Sequence, residues 1–427
     1  YCTVRTVQYC TVPQYSILNI KSFYLSSRNY ASIAEMGIER PRPLMPRVGL
    51  LAAVCATFAL PYLYRSSLSA KTFVSWDDVE NFVENPWLEG GLSWENVRWA
   101  FFDGVWLGTY EPVSNIAKML VVTASGGSIR AAPIYFAAVF LHSVNACLVV
   151  LVAESKGADL KRFPILPLLF VMIVFAVHPL RVEVVAWASG FPYTLSTFFS
   201  LCACLWQAQK SRKGGVAAAL CMLLAVMSKG SSVTVPIVLA LDKIGGSLPA
   251  RSRRNRIFFL ERLAWGSAVV FVGFLSAWWG NQKSVSTLST AQVLCRACIA
   301  FWWYPIMHVV ALVKASVCNI QYELGAVSHH DLNVDENPTA ELLCVMLATL
   351  SLVSWSFYRT LGCACQHIAG NTDTSADHDK FAVLVLQYTI CILPVLGFVQ
   401  HGYVSLASDR YSYLPCALVV CPYIVGQ

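Results

Sequence analysis

Charge is scarce in this chain. Only 13% of its 427 residues are Asp, Glu, Lys or Arg, about half the share of a soluble domain. With 56% hydrophobic residues and a mean hydropathy of +0.56, this excludes an ordinary water-soluble globule. It points to an all-α polytopic membrane protein. Soluble-type catalytic signatures are missing too: there is no HExxH, P-loop, GxSxG or GxGxxG pattern, which removes the commonest protease, nucleotide and hydrolase chemistries. No groove of interleaved basic and aromatic residues occurs, so nucleic acid is not an expected partner. The net charge of +7 collects in short loops between apolar runs and reads as topology. No usable N-glycosylation sequon exists, because Asn337-Pro-Thr is spoiled by its proline.

Cysteine, by contrast, is plentiful at 16 residues. Most, such as Cys55, Cys147, Cys221 and Cys391, fall inside apolar runs and act as small buried hydrophobes. No disulfide framework follows. The cluster Cys363-Ala-Cys365-Gln-His367 is read as an idle or lipidated thiol pair in a polar loop, so no metal site is expected.

Residues 1–44 are set aside as a disordered or gene-model extension. Tyr-Cys-Thr-Val occurs at both 1–4 and 9–12, and Met36 is the first methionine. The chain stops at Gln427 inside an apolar run, which reads as a missing C-terminal part. Between these limits, apolar runs fall at about 48–64, 131–153, 164–180, 193–208, 214–227, 232–242, 257–279, 291–313, 341–358, 381–399 and 414–427. They predict a bundle of about ten transmembrane helices. The pair flanking Ser228-Lys-Gly reads equally as two short spans or one interrupted helix. Basic clusters at 40–47, 156–162, 210–213 and 243–256 place the N-terminus in the cytosol. The outer loops are then 65–130, 181–192, 228–231, 280–290 and 400–413. Alternation makes 280–340 a second luminal segment, with a re-entrant or interfacial helix at 291–313. The cluster at 363–367 falls in a cytosolic loop at 359–380.

The first luminal loop, 65–130, is the largest polar segment. Between Arg65 and Lys118 it has eight acids against four bases, and it carries Trp76, Trp87, Trp94, Trp99 and Trp106. Most of these tryptophans are expected to anchor in the headgroup layer. The acids Asp77 and Asp78 lie in Phe73-Val-Ser-Trp-Asp-Asp-Val-Glu-Asn81. A carboxylate pair held beside a membrane is costly and suits work as a general base.

Three cations run against the positive-inside bias: Arg181 in His178-Pro-Leu-Arg-Val-Glu183, Lys229 in a Ser-Lys-Gly turn, and Arg410 in Asp409-Arg-Tyr411. Each needs a partner. Glu183 and Asp409 stand beside them, and His178 and Tyr411 belong to the same segments as supporting residues. Together, a carboxylate base and fixed cations suit glycosyl transfer from a polyprenyl-phosphate sugar. The base takes the acceptor proton, and the cations hold the phosphate as it leaves.

Four segments occur in order: Phe73–Asn81, His178-Pro-Leu-Arg-Val-Glu-Val-Val-Ala-Trp-Ala-Ser-Gly190, Ser228-Lys-Gly-Ser-Ser-Val-Thr-Val-Pro236 and Ala407-Ser-Asp-Arg-Tyr-Ser-Tyr-Leu-Pro415. Over roughly 45–427 they resemble the membrane part of the transmembrane and tetratricopeptide-repeat O-mannosyltransferases. That family is related to the dolichyl-phosphate-mannose protein mannosyltransferases. The resemblance implies a GT-C fold in the endoplasmic reticulum membrane. It implies transfer of mannose from dolichyl-phosphate mannose to Ser or Thr hydroxyls of luminal proteins. The implied mechanism is an inverting single displacement with no obligatory metal. Asp77 would be the base and Asp78 would orient it or hold the acceptor, although either acid suits the proton transfer. Arg181, Lys229 and Arg410 would bind the donor phosphate. Two alternatives are a GT-C enzyme using another polyprenyl-phosphate sugar and a non-catalytic membrane scaffold. A transporter fits less well, because the charges gather at one interface.

Overall fold

Where water is excluded, backbone groups must bond within their own segment. Apart from one hairpin of two-residue strands, the described chain is built from helices and their connections. The computed structural model describes residues 72–74, 77–156, 165–209, 211–244, 266, 289–317, 340–369, 376–398 and 407–426. The extension at 1–44, the run at 48–64, most of 257–279 and Trp76 lie outside the described residues.

The first outer loop folds on itself. A π-helix over Val79–Val83 leads to helix α1 (Trp94–Phe102), capped by Ser93, whose hydroxyl accepts the Asn96 amide at 3.1 Å. Strands β1 (Val105–Trp106) and β2 (Thr109–Tyr110) form a short antiparallel hairpin. Helix α2 (Pro112–Ala124) follows, with proline at its first position, where no N–H is needed. Gly91 adopts φ +81°, and a Cβ there would lie 2.3 Å from Thr123 Oγ1. Only glycine lets this turn settle on α2.

The tryptophans correct their expected role. Trp87 stacks on Trp99 at 5.2 Å, and Trp106 meets Trp99 edge-on at 6.5 Å. They join Phe82, Leu88 and Met119 of the loop and Ile134 and Phe191 of the helices beneath it in one core. Only Trp94, at 82% exposure, stands fully outside among those described. A polar loop of this length needs a core to hold one shape, and flat aromatic rings bury the most area per residue.

The central bundle comprises α3 (Ala131–Ser155), α4 (Ile165–Val177), α5 (Phe191–Ala208), α6 (Arg212–Ser228) and α7 (Val235–Ile244). Its core includes Val149, Met172, Leu201, Val226 and Val238, closed by Leu418 and Val419 from the C-terminal segment. The Ser228-Lys-Gly turn resolves as two short helices, α6 and α7, joined by a 3₁₀ turn over Gly230–Thr234. At the far end of the bundle, Lys156 pairs with Asp242 at 3.0 Å, and Gln387 donates to Asp242 at 2.7 Å. That clasp ties the C-terminal ends of α3 and α7.

Helices α8 (Thr290–Val317), α9 (Ala340–Ala369) and α10 (Ala376–Ile392) share a second apolar cluster that includes Ala300, Tyr304, Val385 and Ile392. The run at 291–313, expected as a re-entrant or interfacial helix, is helical throughout. One continuous helix covers 28 residues, and its Thr290–Ala311 part is long and apolar enough to cross a membrane. The Cys363–His367 cluster also lies within α9, not in a polar loop. Cys295-Arg-Ala-Cys298, a CxxC spacing hidden in an apolar run, sits on α8, where the Cys295 thiol contacts Met346 Sδ at 3.1 Å.

The expected count of about ten spans is met only in part among the described residues. Among the described residues, three helical stretches have the length and apolarity to cross: Ala131–Ser155, Thr290–Ala311 and Ala340–Cys363. The reason is local. The apolar runs at 164–180, 381–399 and 414–427 break into shorter helices near His178-Pro, Leu393-Pro and Cys421-Pro, where proline removes a backbone donor. The fold is predominantly helical, with membrane character.

Candidate functional site

The two acids differ in their surroundings. Asp78 is fully buried. Its Oδ2 accepts the Val74 amide at 3.1 Å, and its Oδ1 accepts the Ser189 amide at 2.9 Å and the Ser189 hydroxyl at 2.6 Å. The Tyr135 hydroxyl bonds it as well. A carboxylate offers about four lone-pair sites, so fixed donors occupy Asp78 fully. Asp77 is only half-buried. The Asn81 amide donates to Ser189 Oγ at 3.2 Å, so Asp78 and Asn81 fasten the acid segment to the 3₁₀ turn at Ala188–Gly190.

That turn depends on Gly190. A Cβ there would lie 2.6 Å from the Val184 carbonyl and 3.0 Å from that of Glu183. Gly190→Ala is expected to shift the turn, detach Ser189 from Asp78 and cost about 1–3 kcal/mol. Thermal unfolding in detergent measures this, and a wild-type midpoint would show that the turn tolerates the methyl group.

Two of the three cations converge from opposite sides. Lys229 Nζ lies 2.5 Å from Glu111 Oε1 and 4.9 Å from the centre of the Tyr193 ring. Arg410 bonds Glu183 through Nη1, and its backbone amide reaches the other Glu183 oxygen at 2.8 Å. Its guanidinium lies over Trp187 at 5.1 Å and Tyr411 at 4.9 Å. The Tyr193 and Tyr411 rings are 6.2 Å apart and bridge the two cations. Burial works against the Lys229 charge, yet Glu111 more than offsets it and raises its pKa. Burial likewise opposes the Arg410 charge, while Tyr411, Tyr193 and Glu183 hold it protonated well above the ordinary arginine range.

Arg181 stands apart from this pair. It is fully buried, between Phe175 at 5.2 Å and Tyr413 at 5.5 Å. It bonds the Ser412 hydroxyl at 3.1 Å and His308 Nε2 at 2.9 Å. Its Nε has no partner among the described residues. His178 caps the 3₁₀ turn that carries Arg181, with Nδ1 accepting from the Leu180 amide at 3.2 Å. Its proton is therefore assigned to Nε2, which donates to the His308 carbonyl at 3.1 Å. Asp409 is buried at the start of the 3₁₀ turn Asp409–Ser412, and its carbonyl accepts the Ser412 hydroxyl at 2.7 Å.

No family model, curated protein or solved structure matches this chain. The site is therefore read from its own geometry. Its elements meet at one end of the bundle: the acid segment, the head of α2, the turn before α5, the α6–α7 connection and the turn at 409–412. The described residues contain no cluster of three or more His, Cys, Asp or Glu arranged to hold a metal ion. What the arrangement does offer is one partly exposed carboxylate, two charged pairs and two tilted tyrosine rings between them.

Several members were invisible as site residues in the sequence. Glu111 was one of eight loop acids, Tyr193 began an apolar run and His308 lay within another. His142 and Asn145 of α3 reach the Tyr413 hydroxyl at 2.7 and 3.2 Å, and so lock the C-terminal segment behind the site. Ionisable or amide groups inside apolar runs were the available signal, since such groups face the bundle interior.

Proposed function

We propose that this chain is a GT-C-type glycosyltransferase that moves mannose from dolichyl-phosphate mannose to Ser or Thr hydroxyls of luminal proteins. It acts in the endoplasmic reticulum membrane with the N-terminus cytosolic. The observation that carries the reading is the shared location of the acid pair with Lys229 and Arg410, joined through Ser189, Trp187 and Tyr193.

The chemistry follows from the difference between the acids. Asp77 takes the acceptor hydroxyl proton, while Asp78, whose lone pairs are occupied, holds the segment in place. The acceptor oxygen attacks C1 of the sugar from the face opposite the phosphate. The C1–O bond breaks, and its electron pair leaves with dolichyl phosphate. One displacement inverts the anomeric centre. Lys229 and Arg410 stabilise the departing phosphate in a site shielded from water. Each is held in advance by a carboxylate, so the phosphate binds by sharing or displacing Glu111 and Glu183. An arginine carries five N–H donors, so the Arg410–Glu183 bond does not exhaust it. Arg181 serves better as a positioning group behind Tyr413 and Ser412 than as a direct phosphate ligand.

The test is direct. Purified protein in nanodiscs is given radiolabelled dolichyl-phosphate mannose and a Ser/Thr-rich acceptor peptide, with and without EDTA. Transfer unaffected by EDTA is expected. Transfer from dolichyl-phosphate glucose alone would move the reading to another sugar, and loss of activity in EDTA would overturn the metal-independent mechanism. No transfer from any lipid-linked sugar would leave a scaffold role.

A further inference from the structure

Lys118 belongs to none of the motifs, yet it is among the most buried charges described, at 2% exposure. It projects from α2 between the acid segment and the bundle. Its Nζ donates to Asn81 Oδ1 at 3.1 Å and to Asn115 Oδ1 at 3.4 Å, and lies 5.1 Å from the centre of the Phe82 ring. An uncapped lysine charge in such a place is expensive, so its retention asks for a purpose.

The bonds beyond Lys118 suggest one. Asn81 accepts a hydrogen bond from Lys118 Nζ through Oδ1 and donates through Nδ2 to Ser189 Oγ, which donates in turn to Asp78. This chain runs from α2 through the π-helix to the 3₁₀ turn and returns to the acid pair. We infer that Lys118 is a positioning residue: acting through Asn81, it holds the Asp77–Asp78 segment in register with the phosphate-binding cations, and its charge balances the acids there. The positioning claim stands on geometry alone. Its catalytic consequence rests on the glycosyltransferase reading above.

The charged groups that face Lys118 are Asp78 from the acid segment, Glu111 from the head of α2 and Lys229 from the α6–α7 connection. Burial, helped by the neighbouring Lys229 and opposed by Glu111 and Asp78, lowers its pKa to about 8. The charge is therefore present below about pH 8 and lost as pH rises through that value. A neutral amine still donates hydrogen bonds but no longer counters the acids.

Three variants in nanodiscs test this: Lys118→Met, Asn81→Ala and Lys118→Arg. Hydrogen exchange of the amides at 77–84 needs no activity. It is expected to quicken at least about tenfold in Lys118→Met and Asn81→Ala, because the segment opens more often. Unchanged exchange in both would overturn the positioning role. In the transfer assay, wild-type kcat/KM is expected to fall as pH rises through about 8. Lys118→Arg, whose charge persists, is expected to lack that fall. The same fall in both proteins would refute the charge role. If the wild type transfers no sugar at all, the exchange result still decides the positioning role, and only the glycosyltransferase reading fails.

Discussion

An Asp77→Asn protein is expected to fold normally and to lose transfer by about 10²–10⁴-fold, the range for removing a general base. The loss should fall in kcat, since the amide cannot accept the acceptor's proton but leaves the donor contacts intact. Asp78→Asn should behave in the opposite way. Asp78 receives bonds from Val74, Ser189 and Tyr135, and an amide would present its own N–H groups to some of these donors. Each mismatch costs about 1–3 kcal/mol, so Asp78→Asn should unfold at lower temperature and lose activity through instability. Radiolabel transfer and thermal unfolding of the two variants separate these outcomes. Equal transfer by wild type and Asp77→Asn would remove Asp77 from the base role.

The Glu183→Gln variant is expected to lose about 2–4 kcal/mol of stability, because it leaves the largely buried Arg410 guanidinium without its counter-charge. Glu183 also accepts the Arg410 backbone amide at 2.8 Å, so its loss should loosen the whole 409–412 turn. The double variant Glu183→Leu/Arg410→Met removes both charges. Apolar replacement of a buried pair is often neutral or stabilising, so its unfolding midpoint should return toward wild type while transfer stays absent. This pattern separates the structural role of the pair from the phosphate role of Arg410. Recovery of transfer along with stability would show that Arg410 does not hold the donor phosphate.

Much of the site was legible because charge is rare in this chain. With so few ionisable groups, Arg181, Lys229 and Arg410 stand out as cations against the positive-inside bias, and Asp77 and Asp78 as a carboxylate pair beside an apolar run. Their pairing was less legible. Glu183 was a visible neighbour of Arg181 in sequence, yet it bonds Arg410, 227 positions away. Arg181 turns to His308 and Ser412 instead. The tryptophans misled because the same ring chemistry suits a headgroup layer and a small protein core. Which use prevails depends on whether other apolar groups, here Phe82, Leu88 and Met119, come within reach.

Composition and hydropathy by themselves determined that this chain is helical with membrane character, and which charged segments stand out against it. Both properties are local: the transfer energy of a side chain and the hydrogen bonding of a helix do not depend on distant residues. Only the tertiary structure decided that α8 runs unbroken, that Asp78 is fully buried while Asp77 is half-buried, and that Lys118 is buried beside them. Those outcomes turn on contacts between segments far apart in the chain. In a medium of low dielectric, which donor reaches which carboxylate is set by how helices pack, and hydropathy does not encode it.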